Sequence, residues 1–140
     1  MNIKEIERKV LDLKSYLERV LDCAEYDSLS WEDKKILECF HRLDDELYTI
    51  GNSIQYYRKK SIEGRLHQRE DGRFAIDEYN YFTSGSPMEM YLYDDYEEEN
   101  IWCKGRVEYM HESNREYYYF LNEDGKNKEL EEGDLVRIRL

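Results

Sequence analysis

The chain has 140 residues, of which 40% are hydrophobic and 39% are charged, and its formal net charge is −12. Its 14 tyrosines, four phenylalanines and two tryptophans exclude a disordered chain. No apolar run reaches the roughly 18 residues that a membrane span needs, and the N-terminal segment lacks the apolar centre of a signal peptide. We therefore expect a cytoplasmic protein that forms one domain or two small units.

The first half of the sequence has the pattern of a helical hairpin. Apolar residues recur every three or four positions from Ile3 to Val20 and again from Ile36 to Tyr57, which is the spacing of one stripe on an α-helix. Ser30 resembles the N-cap of the second helix. Each stripe is narrow, as in coiled coils. The predicted antiparallel hairpin of residues 1–62 either closes on itself and on the rest of the chain, or also forms a homodimer of four helices.

The second half, residues 63–140, has the pattern of a β-domain. The pair Asp71-Gly72 predicts a hairpin turn, and apolar and polar residues alternate at 88–92 and at 136–140, as they do in strands. About six short strands separated by tight turns follow from this pattern. We predict an α+β protein in which the helical hairpin precedes a strongly bent antiparallel sheet or a small barrel.

Several short segments of this half resemble those of a known family. They are GRF at 72–74, TSGSPMEMYL at 83–92, W at 102, GRVEY at 105–109, YYYFL at 117–121 and LEEGDLVRIRL at 130–140. In their order and spacing, residues 63–140 resemble a family of uncharacterised small β-domains encoded on prophages and conjugative elements of Gram-positive bacteria. The resemblance implies a β-domain on a mobile element, and it carries over no activity and no catalytic residue.

The sequence contains no motif of an enzyme or of a metal site. P-loop, GxGxxG, HExxH and CxxC patterns do not occur, and the acidic segment DDYEEEN has neither the spacing nor the central glycine of a calcium loop. The cysteines are odd in number, widely spaced and without zinc spacing, which suits a reducing compartment: Cys23, Cys39 and Cys103. We predict a protein without catalytic activity, metal or cofactor.

Negative charge is concentrated in the second half of the chain. Up to Ile62 there are 11 basic and 13 acidic residues, and from Glu63 onward there are 10 basic and 20 acidic residues. The densest part is YDDYEEEN, which is either a solvated connection between two strands or a protein-binding edge. In the second case the carboxylates imitate phosphates and the tyrosines add contact area. The candidate residues are Tyr93, Asp94, Asp95, Tyr96, Glu97, Glu98 and Glu99.

These patterns predict a protein–protein interaction. We expect an accessory protein of a phage or mobile element, whose acidic surface binds a basic partner, for example as a DNA mimic that inhibits a host-defence or DNA-processing nuclease. Free nucleic acid is an unfavourable partner, because binding it depends on neutralising phosphates with Lys and Arg.

Two alternatives remain. One is a nucleic-acid-binding module that uses an arginine and tyrosine face of the β-domain, unless its arginines pair with glutamates on neighbouring strands. Its candidate residues are Arg106, Tyr117, Tyr118, Tyr119, Arg137 and Arg139. The other is a pocket for a small ligand.

Overall fold

The computed structural model describes every residue from Met1 to Leu140. The chain divides into two compact units, Met1–Lys59 and Lys60–Leu140. The first unit consists of two helices, and the second contains the β-strands. The predicted α+β class and the order of the two parts are therefore confirmed.

The two helices, α1 (Ile3–Leu21) and α2 (Trp31–Arg58), form an antiparallel pair. The Arg58 guanidinium at the end of α2 lies 2.7 Å from the Glu7 carboxylate near the start of α1. The predicted cap is present, since the Ser30 hydroxyl accepts a hydrogen bond of 3.0 Å from the Asp33 amide. Four leucines fill the space between the helices: Leu17, Leu21, Leu37 and Leu47. Neither helix has the length and apolarity required to cross a lipid bilayer.

The second unit contains an open six-stranded sheet and a separate two-stranded one. The strands are β1 (Ser61–Arg65), β2 (His67–Gln68), β3 (Phe74–Ala75), β4 (Pro87–Asp94), β5 (Glu99–Glu112), β6 (Arg115–Asn122), β7 (Lys128–Glu129) and β8 (Leu135–Arg139). The large sheet has the order β1-β8-β4-β5-β6-β7, and all its neighbours are antiparallel. Strands β2 and β3 form the hairpin predicted at Asp71-Gly72. The large sheet does not close, so the second unit forms an open antiparallel sheet and not the small barrel that was the other predicted form.

One face of the large sheet carries the core of this unit. Its centre consists of side chains that are almost fully buried: Met88, Met90, Val107, Phe120 and Val136. Gly105 lies among them on β5, and a Cβ added there would approach the Phe120 ring to 2.7 Å. The absence of a side chain at this position therefore lets Phe120 cross β5 closely.

Candidate protein-binding site at the β4–β5 hairpin

Strands β4 and β5 form a hairpin whose outer part has no third strand beside it. The two strands pair continuously from Pro87 with Arg106 to Asp94 with Glu99. The β4–β8 ladder ends at Met90, and the β5–β6 ladder begins only at Gly105. Residues 91–104 therefore form a two-stranded ribbon, and the acidic segment lies at its end.

The acidic segment is a short hairpin turn rather than a long loop. Tyr93 and Asp94 still belong to β4, and Glu99 already belongs to β5, so only residues 95–98 connect the strands. The Asp94 carboxylate accepts a hydrogen bond of 2.8 Å from the Glu97 amide, which closes the turn. Glu98 has a φ of 54°, the left-handed conformation that ends such turns. We call residues 93–99 the acidic tip.

The carboxylates of the acidic tip are not neutralised by cations. Asp94, Asp95, Glu97, Glu98 and Glu99 form no ion pair in the structure. No Lys or Arg occurs between Arg73 and Lys104 in the sequence. Like charges at this density repel one another and create a concentrated negative potential at the end of the ribbon.

Tyrosine rings border these charges. The Tyr93 side chain is 62% exposed and that of Tyr96 is 92% exposed, so both are available as contact surface. Tyr91 lies on the same face of the ribbon as Tyr93, and its ring centroid is 5.2 Å from that of Trp102 on the paired strand. The Arg137 guanidinium lies 4.2 Å from the Trp102 centroid. This stack of rings and guanidinium fixes the base of the ribbon.

A buried ionic cluster lies on β4 just before the ribbon begins. Glu89 is only 2% exposed, and its carboxylate accepts hydrogen bonds from Arg137 at 2.8 Å and from Arg139 at 2.7 Å. Both arginines are on β8, on the face opposite the core, as the alternation predicted. They are nevertheless largely covered, with side-chain exposures of 18% and 13%.

A comparison with protein families matches residues 64–138 to a domain of unknown function (DUF5348). The chain belongs to the DUF5348 family. This confirms the expected kinship with a family of small uncharacterised domains. The DUF5348 segment contains the ribbon, the acidic tip and Glu89, whereas α1 and α2 precede it. Comparisons with curated proteins and with solved structures gave no match.

Five of the six residues of the nucleic-acid alternative lie on the face of the large sheet opposite the core, but all three of its arginines are already engaged by carboxylates. Arg137 and Arg139 point at Glu89, and Arg106 forms an ion pair of 2.6 Å with Glu108 on its own strand. Tyr118 lies on the core side, where it packs against buried residues. Tyr117 and Tyr119 lie on the opposite side, with the Arg115 guanidinium 4.1 Å from the Tyr117 ring centroid.

A cavity of about 370 Å³ opens at the far end of β5 and β6. There the Tyr109 hydroxyl donates a hydrogen bond of 2.5 Å to the Glu116 carboxylate, which also lies 2.6 Å from the His111 ring. The bond to Glu116 raises the pKa of Tyr109 to about 12, and the same bond lowers the pKa of Glu116. No group of three or more His, Cys, Asp or Glu side chains has the arrangement of a metal site.

Sequence reasoning identified the acidic tip but missed Glu89. A glutamate between Met88 and Met90 has the alternation of an ordinary solvent-facing residue. The available signal was a pair of arginines two residues apart on another strand, Arg137 and Arg139, which β-sheets place opposite acids. That signal identifies a partner only once the pairing of β4 with β8 is known.

Proposed function

We propose that this DUF5348 protein is an accessory interaction protein that binds a basic surface of another protein through its acidic tip. The observation that carries the proposal is the set of five carboxylates without cationic partners at the end of the ribbon, bordered by the exposed rings of Tyr93 and Tyr96. The role is one of binding rather than catalysis.

The shape of the ribbon supports this proposal. Two paired strands lie about 4.8 Å apart, so the end of the ribbon is much narrower than the six-stranded sheet. A partner with a groove lined by Lys and Arg, such as a protein that binds nucleic acid, has the complementary shape and charge. The tyrosines supply rigid contact area with little loss of side-chain entropy, as they do in other protein interfaces.

The nature of the partner follows from the same chemistry. A polyanionic tip that enters a phosphate-binding groove acts as a DNA mimic and blocks the nucleic acid from the groove. The resemblance to domains of prophages and conjugative elements leads us to propose a host-defence or DNA-processing nuclease as the partner, in the bacterial cytoplasm. The net charge of −12 supports attraction to basic proteins and repulsion of free nucleic acid.

The ionic pairing of the arginines favours this proposal over the nucleic-acid alternative. A guanidinium that already donates two hydrogen bonds to a buried carboxylate has fewer donors left for phosphate oxygens. Arg137 and Arg139 each donate two such hydrogen bonds to Glu89. A gel-shift titration with single- and double-stranded oligonucleotides, at about 50 mM and about 200 mM salt, separates the two functions. Our proposal predicts no shift, and a salt-sensitive shift would favour the alternative.

A pair of variants with the same change of charge tests the proposal itself. The tip variant replaces Asp95, Glu97, Glu98 and Glu99 by Ser and keeps Asp94, whose carboxylate closes the turn. The control variant replaces four acids elsewhere in the second unit by Ser. These acids are exposed and form no ion pair, and the control variant has the same net charge as the tip variant. These control positions are Glu63, Glu70, Glu78 and Glu123.

Wild type and both variants are immobilised and exposed to a lysate of a Gram-positive bacterium. We expect wild type and the control variant to retain the same protein, the tip variant to lose it, and duplex DNA to release it. Equal capture by the tip variant would overturn the proposal, because the bound protein would then be held by another surface. Failure of duplex DNA to release the bound protein would contradict only the proposal that the tip imitates DNA.

A further inference from the structure

One side of the helical hairpin carries a continuous row of exposed apolar side chains. Seven residues of α1 and α2 each come directly before a residue that faces the other helix, and each is between 36% and 55% exposed. These seven residues, which we call the apolar face, are Ile6, Leu13, Val20, Ile36, Leu43, Ile50 and Tyr57.

The residues that follow them define the contact between the helices. Glu7 pairs with Arg58, and the Lys14 side chain lies 3.2 Å from the position of a Cβ on Gly51. Leu21 and Leu37 are buried in the cluster between the helices. Successive residues of an α-helix are rotated by about 100°, so each member of the apolar face lies that far from the contact, in the same rotational sense. In two antiparallel helices this places both rows on the same side of the hairpin.

The two rows are also matched in height. Glu7 lies beside Arg58 and Lys14 beside Gly51, and in antiparallel helices the residues that precede each such pair are offset by only about 3 Å along the axis, less than one helical turn. Ile6 therefore shares a layer with Tyr57, and Leu13 shares a layer with Ile50. One heptad further along α1, Val20 shares a layer with Leu43. Stacked layers with heptad spacing are the arrangement that packs against another pair of helices in a four-helix bundle.

The area of this face is at the upper limit of what a monomeric protein exposes to solvent. With the adjoining Ile3 and Phe40, which are 59% and 46% exposed, it amounts to about 600 Å², estimated from typical side-chain areas. That is the upper end of the patch size that monomeric proteins expose, about 300–600 Å². Two copies that meet through this face would bury about 1,200 Å², which is the lower end of a specific stable interface.

The distribution of charge identifies the occupant. No charged residue belongs to the apolar face, so two copies that meet there bury no charge. Up to Ile62 the chain has a net charge of only −2, whereas the remainder has a net charge of −10. Mutual repulsion of two copies is therefore weakest between their hairpins. We propose that the apolar face is the interface of a homodimer in which two hairpins form a four-helix bundle.

Sedimentation velocity and light scattering of the full chain test this proposal. We expect a species of twice the chain mass of 17.2 kDa at micromolar concentration. The variant L13K/I50K places two cations on the apolar face and should raise the dissociation constant about 100-fold or more. The control S15K/N52K places the same charges at exposed positions about 200° further around each helix, and it should remain dimeric.

A wild type that is monomeric at about 200 µM would overturn the proposal, because a specific interface of this size is stable at that concentration. A dimeric L13K/I50K, or a control that dissociates equally, would also overturn it. Circular dichroism verifies that the helices persist in each variant. If L13K/I50K loses helicity, L13Q/I50Q takes its place and must be monomeric.

Discussion

Glu89 on β4 lies directly opposite Arg137 on β8, and a single carboxylate oxygen of Glu89 accepts two hydrogen bonds from that guanidinium, at 2.8 and 3.0 Å. The other oxygen accepts one from Arg139 at 2.7 Å. The carboxylate thus satisfies two cations in a largely water-free environment. This cluster joins β4, which leads into the acidic ribbon, to the C-terminal strand of the chain.

Replacement of Glu89 by Gln should therefore strongly destabilise the β-domain. The two guanidinium groups would remain covered without a counter-charge, and breaking a buried pair in this way costs about 3–5 kcal/mol. Urea denaturation, followed by tryptophan fluorescence, measures the loss in free energy of unfolding. The control is Glu129→Gln, which removes an exposed ion pair with Arg115 and should cost less than about 1 kcal/mol. Equal losses in free energy of unfolding for both variants would show that the buried cluster of Glu89 contributes no more to stability than an exposed ion pair.

The close packing at Gly105 predicts a second large loss of stability. A methyl group at this position would collide with the Phe120 ring and with the Leu121 carbonyl. Both neighbours are fixed by the sheet, so Gly105→Ala should cost about 3 kcal/mol or more. Gly125→Ala is the matched control, since its Cβ would lie 3.5 Å from the Asn122 amide, an ordinary contact. If thermal unfolding of the two variants differs by less than about 2 °C, the described contact is wrong.

The conformation of Glu98 predicts a gain in stability. Its φ of 54° is unfavourable for an L-residue by about 1–2 kcal/mol, and asparagine tolerates this region better. Glu98→Asn should therefore raise the free energy of unfolding by about 0.5–1 kcal/mol. Glu97→Asn removes the same charge from the same turn at a residue without a positive φ, and we expect no comparable gain. A larger gain from Glu97→Asn would point to relief of charge repulsion as the cause.

The bond between Tyr109 and Glu116 predicts an unusual titration. The Glu116 carboxylate raises the pKa of Tyr109 to about 12. Because this pKa is higher in the folded chain, the bond stabilises the fold fully below pH 10, and this contribution is lost as the pH rises through about 12. NMR of tyrosine ring carbons should show the Tyr109 resonance titrating near pH 12 in the wild type. In Glu116→Gln the pKa of Tyr109 should fall toward its ordinary value. An unchanged titration would contradict the assignment of the raised pKa to Glu116.

The helices and the cap at Ser30 could be predicted from the sequence because the signals are local. Spacing of three and four residues and a serine at the start of α2 are enough to define each helix. The pairing of β1 with β8 could not be predicted, because these strands are about 70 residues apart and alternation does not say which strands pair. The burial of Glu89 depends on this same long-range order, since both of its arginines belong to β8.

The structure of the acidic tip also depends on strand pairing, which the sequence pattern does not reveal. Its composition identified the candidate residues, but the length of the turn depends on where β4 and β5 stop pairing. The ribbon is exposed because neighbouring strands end early, at Met90 and Gly105. Those ends are properties of the sheet rather than of the acidic segment.

The most direct test of the account is the affinity of the captured partner for three forms of the protein, measured by biolayer interferometry. We predict that the tip variant binds about tenfold or more weakly than the wild type, whereas the control variant of equal net charge stays within about threefold. Identical affinities of the tip variant and the wild type would contradict the central claim that the acidic tip is the binding surface.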